Sequence, residues 1–217
     1  IIAGYPTMDL AEVDISRFST FHNGPSYLKD RIKERVGSVY DMHWPHLQPK
    51  SARNVRKSPL HIYHEKNGAC FGEHAGWERP NWYAPVGVEP IMEYSYGKQN
   101  WFEYSAFEHN AVRNDVGLFD QTAFAKFIVQ GNDAEDVLQN ICANDVAVKV
   151  GTVVYTAMLN NRAGIEADVT VTRIETDKYL IVTSSSTATR DMTWIKRNIP
   201  ENAHCFVTDV TSSYAVL

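Results

Sequence analysis

The chain is poor in anything that could staple it covalently. Its 217 residues hold three cysteines, Cys70, Cys142 and Cys205, and no two form a C-x-x-C pair. That spacing argues against a disulfide framework and against a zinc ribbon, and the expected setting is a reducing one, the cytoplasm, or in a eukaryote the mitochondrial matrix. Basic excess is also missing. With 21 Lys and Arg against 26 Asp and Glu, the formal net charge is -5. Counterion release, which drives nucleic-acid binding, has no patch through which to act, so a nucleic-acid partner is not expected. No apolar run is long enough to span a bilayer, so neither is a membrane. No G-x-G-x-x-G follows a strand, so any flavin would be cradled by residues outside this sequence. The eight histidines include no H-E-x-x-H, and His61 and His64, three apart, have no acidic partner on the same helical face, so a metal site is not expected. The opening Ile1-Ile2-Ala3-Gly4 carries neither Met nor a basic leader, and Ser213 to Leu217 is an apolar strand-like run. Both ends read as cuts in a longer polypeptide.

What is present is ordinary globular composition, 44% hydrophobic and 22% charged. Residues 4–18 read as an irregular connector. A helix is expected from Pro25, with Leu28, Ile32, Val36 and Val39 on one stripe. Pro45, Pro49 and Pro59 exclude long regular elements over 41–60. Trp77 and Trp82 sit in a Gly- and Pro-punctuated stretch that also holds Glu73, Glu78 and Arg79. Charges in such surroundings read as a buried, hydrogen-bonded network, and the tryptophans as packing against a neighbouring module.

After Gly97-Lys98 the texture changes to distinct helices and strands, which places a module boundary near residue 98. Phe107, Ala111 and Val112 stripe a helix, and Phe124 to Gln130 reads as a strand. Asp133 is placed to cap a helix burying Ala134, Val137, Leu138 and Ile141. Strands are expected at Val153 to Leu159, Ile165 to Arg173, Tyr179 to Thr183 and His204 to Thr208. A helix over 187–198 would bury Ala188, Met192, Ile195 and Ile199. The order predicts an α+β fold richer in hairpins than in βαβ crossovers.

The most informative stretch runs from Tyr155 to Asp168: a strand, a turn at Asn160 to Gly164, and a second strand. Tyr155 and Asp168 fall near each other across it. Asp168, flanked by Ala167 and Val169, either faces solvent or is a polar group retained in a pocket.

Here the sequence resembles a known family. Tyr155-Thr156-Ala157-Met158-Leu159-Asn160 followed by Gly164-Ile165-Glu166-Ala167-Asp168-Val169-Thr170-Val171 is similar to the folate-site hairpin of the glycine-cleavage T protein. Glu108-His109, Val112-Arg113 and Gly117-Leu118-Phe119-Asp120 resemble the opening helix and strand of that domain. Arg56-Lys57-Ser58-Pro59-Leu60 and the run from Gly76 to Trp82 resemble the connector of dimethylglycine and sarcosine dehydrogenases. The resemblance implies a flavin-module tail over 1–20, a linking subdomain over 21–98, and the N-terminal part of a T protein-like folate-binding domain over 99–217. It further implies oxidation of a small N-methyl amine on FAD, bound mainly by a domain outside this sequence, and transfer of the one-carbon unit to tetrahydrofolate. Asp168 would be the catalytic carboxylate, Tyr155 and Asp168 would line the folate pocket, and the chain would pack against its own FAD domain. Ala163 departs from the Gly-Gly usual in that turn. Two rivals share the fold: a non-catalytic folate-binding or interaction module, and a folate-dependent demethylase of a sulfur compound.

Overall fold

The structure is a computed structural model and describes residues 25–217. The expectations for residues 4–18, and for a flavin-module tail over 1–20, lie outside the described residues. The described chain forms two compact units, one of residues 25–123 with Ala215–Leu217 and the other of Phe124–Tyr214.

In the first unit α1 spans Pro25–Gly37, and the proline-bearing stretch after it stays irregular until α2, His61–Lys66. The stripe of Leu28, Ile32, Val36 and Val39 faces solvent. Polar side chains hold α1 instead. Arg31 donates to Ser51 O (2.9 Å) and to Glu73 Oε2 (3.0 Å), and Glu34 accepts from the N–H groups of Lys50 (2.6 Å) and Ser51 (2.8 Å). Strands β1 (Ala69–His74) and β2 (Trp77–Tyr83) make an antiparallel hairpin. Its turn residues Ala75 and Gly76 both have positive φ, 50° and 84°, which matches the right-handed twist of the strands they join. The last element here, α3 (Phe102–Asn114), buries none of its side chains, and its Phe107, Ala111 and Val112 stripe points outward.

This unit corrects the reading of the tryptophans. Trp82 is 1% exposed, stacks on Tyr104 at 5.4 Å between ring centroids, and packs with Cys70 and Ala84. Trp77 is buried beneath the Arg56 guanidinium, 4.2 Å from its ring. Neither ring has surface left to offer a neighbouring module. The charged network is structural, as expected. Buried Glu78 accepts from Arg53 Nε (2.9 Å) and the Asn54 N–H (2.6 Å). Burial opposes its charge, but these donors outweigh it and hold the carboxyl below the usual carboxylate range.

The second unit is a five-stranded sheet of β3 (Ala125–Gln130), β4 (Val153–Leu159), β5 (Ile165–Glu175), β6 (Lys178–Thr183) and β7 (Phe206–Asp209). The order is β4-β5-β6-β3-β7 and every pair is antiparallel, the hairpin-rich α+β fold expected. Helices α4 (Ala134–Ile141) and α5 (Ala188–Arg197) supply side chains to one shared core. Ala134, Val137, Leu138 and Ile141 are all buried there with Val129, Met158, Val169, Val171 and Ile181. Each of the Val, Leu, Ile and Met side chains contributes about 1.5–3 kcal/mol. Asp133 stands at the N-cap of α4 but does not cap it, because its Oδ2 accepts the His204 N–H at 2.6 Å. At Gly131 (φ 132°) a Cβ would lie 2.1 Å from the His204 carbonyl oxygen, so the chain can pass only as glycine.

Candidate functional site

Alternation along β5 sets the site. Ala167, Val169 and Val171 point into the core, so Glu166, Asp168 and Thr170 share the opposite face. Across the sheet Tyr155 pairs with Thr170, Thr170 with Val182 and Val182 with Lys126, one row over four strands. Asp168 pairs with Ala157 and is therefore diagonal to Tyr155, within reach of an aromatic side chain. The Tyr155 hydroxyl donates to Asp168 Oδ2 at 2.9 Å. Both residues are exposed, Tyr155 at 65%. The spacing of Asp168 along the chain allows either solvent or a pocket. It faces solvent, hydrogen-bonded to one tyrosine, and Oδ1 has no partner among the described residues. That hydrogen bond to a carboxylate raises the Tyr155 phenol above its usual range, so it stays protonated and keeps donating near neutral pH.

The turn beneath the pair is organised by Asn160. Its Oδ1 accepts from the N–H groups of Arg162 (3.0 Å) and Gly164 (2.9 Å), and its Nδ2 donates to Glu166 Oε1 (2.8 Å). A Cβ on Gly164 would lie 2.8 Å from Asn160 Nδ2, so a larger residue there would have to displace the amide that organises the turn. Ala163 adopts φ 59°, a left-handed conformation that costs an L-residue about 1–2 kcal/mol. The side-chain bonds of Asn160 hold it in place.

Sequence reasoning missed three residues. Asn144 fixes β4 by donating through Nδ2 to Tyr155 O (2.7 Å) and through its N–H to Thr156 Oγ1 (3.0 Å). Asp191 is 1% exposed and accepts from Thr183 Oγ1 (2.6 Å), Thr187 Oγ1 (2.6 Å) and Arg190 Nε (3.2 Å). Arg190 also donates to the Glu166 carbonyl. Asp191 had a signal: it sits on the helical face of Ala188 and Ile195, where a carboxylate has no reason to be unless it is bonded.

The first unit holds another polar cluster, which is fully partnered. His64 Nε2 lies 3.0 Å from Asp120 Oδ2, the Tyr83 hydroxyl 2.7 Å from His64 Nδ1, and Ser58 Oγ and the Thr122 N–H (3.0 Å) also donate to Asp120. All groups are satisfied with the imidazole proton on Nε2. Burial disfavours the Asp120 carboxylate, but Ser58, Thr122 and His64 together outweigh it and lower the carboxyl from 3.8 to about 2. A depressed folded value gives stability that is full above about pH 4 and lost as pH falls toward 2. The amount is about 2 kcal/mol. Urea unfolding at pH 5, 3 and 2 should show this loss, and Asp120→Asn should flatten it. An Asn variant whose profile is as steep as the wild type's would clear Asp120 of the effect.

Among the described residues no group of three or more His, Cys, Asp and Glu is placed to hold a metal ion. No helix among them is long and apolar enough to cross a membrane.

The family model of the GCVT N-terminal domain matches residues 60–217. The chain belongs to that family. Ahead of the GCVT match, the FAD dependent oxidoreductase central domain matches residues 3–58. Over all 217 residues the chain is 46% identical to 4-methylaminobutanoate oxidase (formaldehyde-forming) of Paenarthrobacter nicotinovorans, of which it covers 26%. It is 33% identical to mitochondrial sarcosine dehydrogenase of Homo sapiens over an alignment that takes in 80% of the chain and 22% of that protein. It is also 28% identical, over 100% of its length, to the mitochondrial pyruvate dehydrogenase phosphatase regulatory subunit of Mus musculus, covering 25% of it. The chain thus spans about a quarter of the length of these relatives. Among solved structures, glycine cleavage system aminomethyltransferase T from Bartonella henselae is similar with a TM-score of 0.56 and 28% identity, over 73% of this chain and 39% of that one. The resemblance to the dimethylglycine and sarcosine dehydrogenase family, with a T protein-like domain in an α+β fold, is borne out.

Proposed function

We propose that the polypeptide carrying these residues oxidises a small N-methylated amine on FAD and passes the one-carbon unit to tetrahydrofolate, and that Tyr155 and Asp168 belong to the transfer site. The observation that carries this reading is the hydrogen-bonded Tyr155–Asp168 pair, with a free carboxylate oxygen, on the open face of a GCVT-family sheet. Those residues fit a folate. An exposed aromatic ring offers a stacking surface, and a carboxylate held by one donor can accept from an amine N–H.

Tetrahydrofolate, when bound, supplies the secondary amine that takes up the one-carbon unit. The rest is the work of this chain. Asp168 accepts the proton an amine sheds as it attacks an electrophilic carbon, and its negative charge favours the cation formed. Tyr155 fixes the carboxylate by donating to Oδ2 and leaves Oδ1 for the ligand. Nothing in this chain resembles a dinucleotide cradle, so FAD belongs to the remainder of the polypeptide. The same remainder is proposed to cover the apolar stripes of α1 and α3, where Phe107 stands 75% exposed.

The test is product partition in the full-length polypeptide given an N-methylated amine. Adding tetrahydrofolate should replace released formaldehyde with the methylene folate, mole for mole. Formaldehyde release indifferent to folate would overturn the transfer reading. Similarity to a regulatory subunit favours one rival. Folate binding with neither flavin reduction nor product would match that interaction-module reading instead.

A further inference from the structure

Arg190, on the first turn of α5, is placed where the proposed site lacks a cation. Strand β6 ends at Thr183, and its pairing with β5 begins at Thr170, so β5 from Ile165 to Val169 runs past the end of its neighbour. Arg190 fills that gap, donating to the Glu166 carbonyl oxygen. From Glu166 to Asp168 is one strand repeat, about 7 Å along the same edge.

The guanidinium is aimed rather than loose. Its Nε is held at 3.2 Å by Asp191 Oδ1, and Asp191 is itself buried and fixed by Thr183 and Thr187. Two of the five guanidinium N–H donors are used in these bonds, which leaves three without a partner among the described residues. The side chain is 44% exposed. A purely structural tie between α5 and β5 would need only the two used donors. Arg162 in the hairpin turn is exposed too, but no such partner among the described residues orients it.

We propose that Arg190 is a further ligand-binding residue of this site and takes a glutamyl carboxylate of the folate, an inference that rests on the folate reading above. A planar guanidinium matches a carboxylate through two parallel N–H bonds. The guanidinium lies beside Glu166, one strand repeat from Asp168, and an amine held at Asp168 would be joined to its glutamyl end by a p-aminobenzoyl spacer.

The experiment measures the affinity of the full-length polypeptide for 5-formyltetrahydrofolate and for the matching tetrahydropteroyl methylamide, which has neither the glutamate nor any other carboxylate. Wild type should prefer the glutamylated ligand at least tenfold. Arg190→Gln should lose about 10- to 100-fold on that ligand and nothing on the methylamide. Arg190→Lys keeps the charge without the fork and should fall between. Equal losses on both ligands would make Arg190 only a tie between helix and strand, and no loss on either would remove it from the site. If Arg190→Gln fails to fold, the wild type still decides, because equal affinities for the two ligands overturn the proposal. Wild type binding neither ligand would overturn the folate reading itself.

Discussion

Asp168→Asn in the full-length polypeptide should lower folate-dependent formation of the methylene product about 10²- to 10⁴-fold, the usual cost of losing a general base. Asparagine keeps the shape and can still accept from Tyr155, so the change removes only the proton acceptor and the negative charge. Asp168 is exposed, so thermal stability should stay within about 0.5 kcal/mol of wild type. Anaerobic reduction of the flavin by the amine should be unchanged, because no residue of this hairpin is proposed to take part in that step. Tyr155→Phe removes one donor to Oδ2 and should cost a smaller factor, about fivefold. The pair of assays on one variant decides the matter. Equal losses in flavin reduction and folate product would make Asp168 a residue of the fold, and no loss in either would return it to the solvated surface.

Trp82→Ala should destabilise the first unit by about 3–5 kcal/mol. The ring is fully buried and stacked on Tyr104, and beside it lie Cys70, Ala84, Met92 and Trp101. That cluster is small, so one large side chain carries much of it, and little around the site can collapse to fill the space. Hydrogen exchange should show the consequence locally: protection lost across β1 and β2, and retained in the five-stranded sheet, whose core contains neither strand. Unaltered protection together with lost turnover would mean that Trp82 touches substrate instead.

The sequence was most legible where one periodicity ran unbroken over an element with one buried face. The spacing of Ala134, Val137, Leu138 and Ile141 placed α4, and alternation in the β-branched runs placed β4, β5 and β6. The hairpin of β1 and β2 was not legible. Its second strand reads Trp77-Glu78-Arg79-Pro80-Asn81-Trp82-Tyr83, with a proline inside and no alternation, and the pairing carries a bulge between Cys70 and Phe71. Its turn is Ala75-Gly76 rather than the Asn-Gly that signals such turns. For the site, the resemblance supplied Asp168 and Tyr155, and the strand-turn-strand pattern brought them near each other.

By itself, then, the sequence determined which residues share a face, because periodicity is a local property of the backbone. It fixed Asp168 to the side of β5 opposite Ala167 and Val169, and it grouped the stripes of α1 and α3. Only the tertiary structure decided which of those faces are covered. The face with Ala167 is buried by α4 and α5, while the stripes with Leu28 and Phe107 stand in solvent. Coverage depends on neighbours distant in the chain, and no local pattern encodes them. Register is the same kind of quantity. Asp168 stands diagonal to Tyr155, and Arg190 reaches the Glu166 carbonyl, because the pairing of β4 with β5 and the early end of β6 set those distances. Spacing along the chain could not.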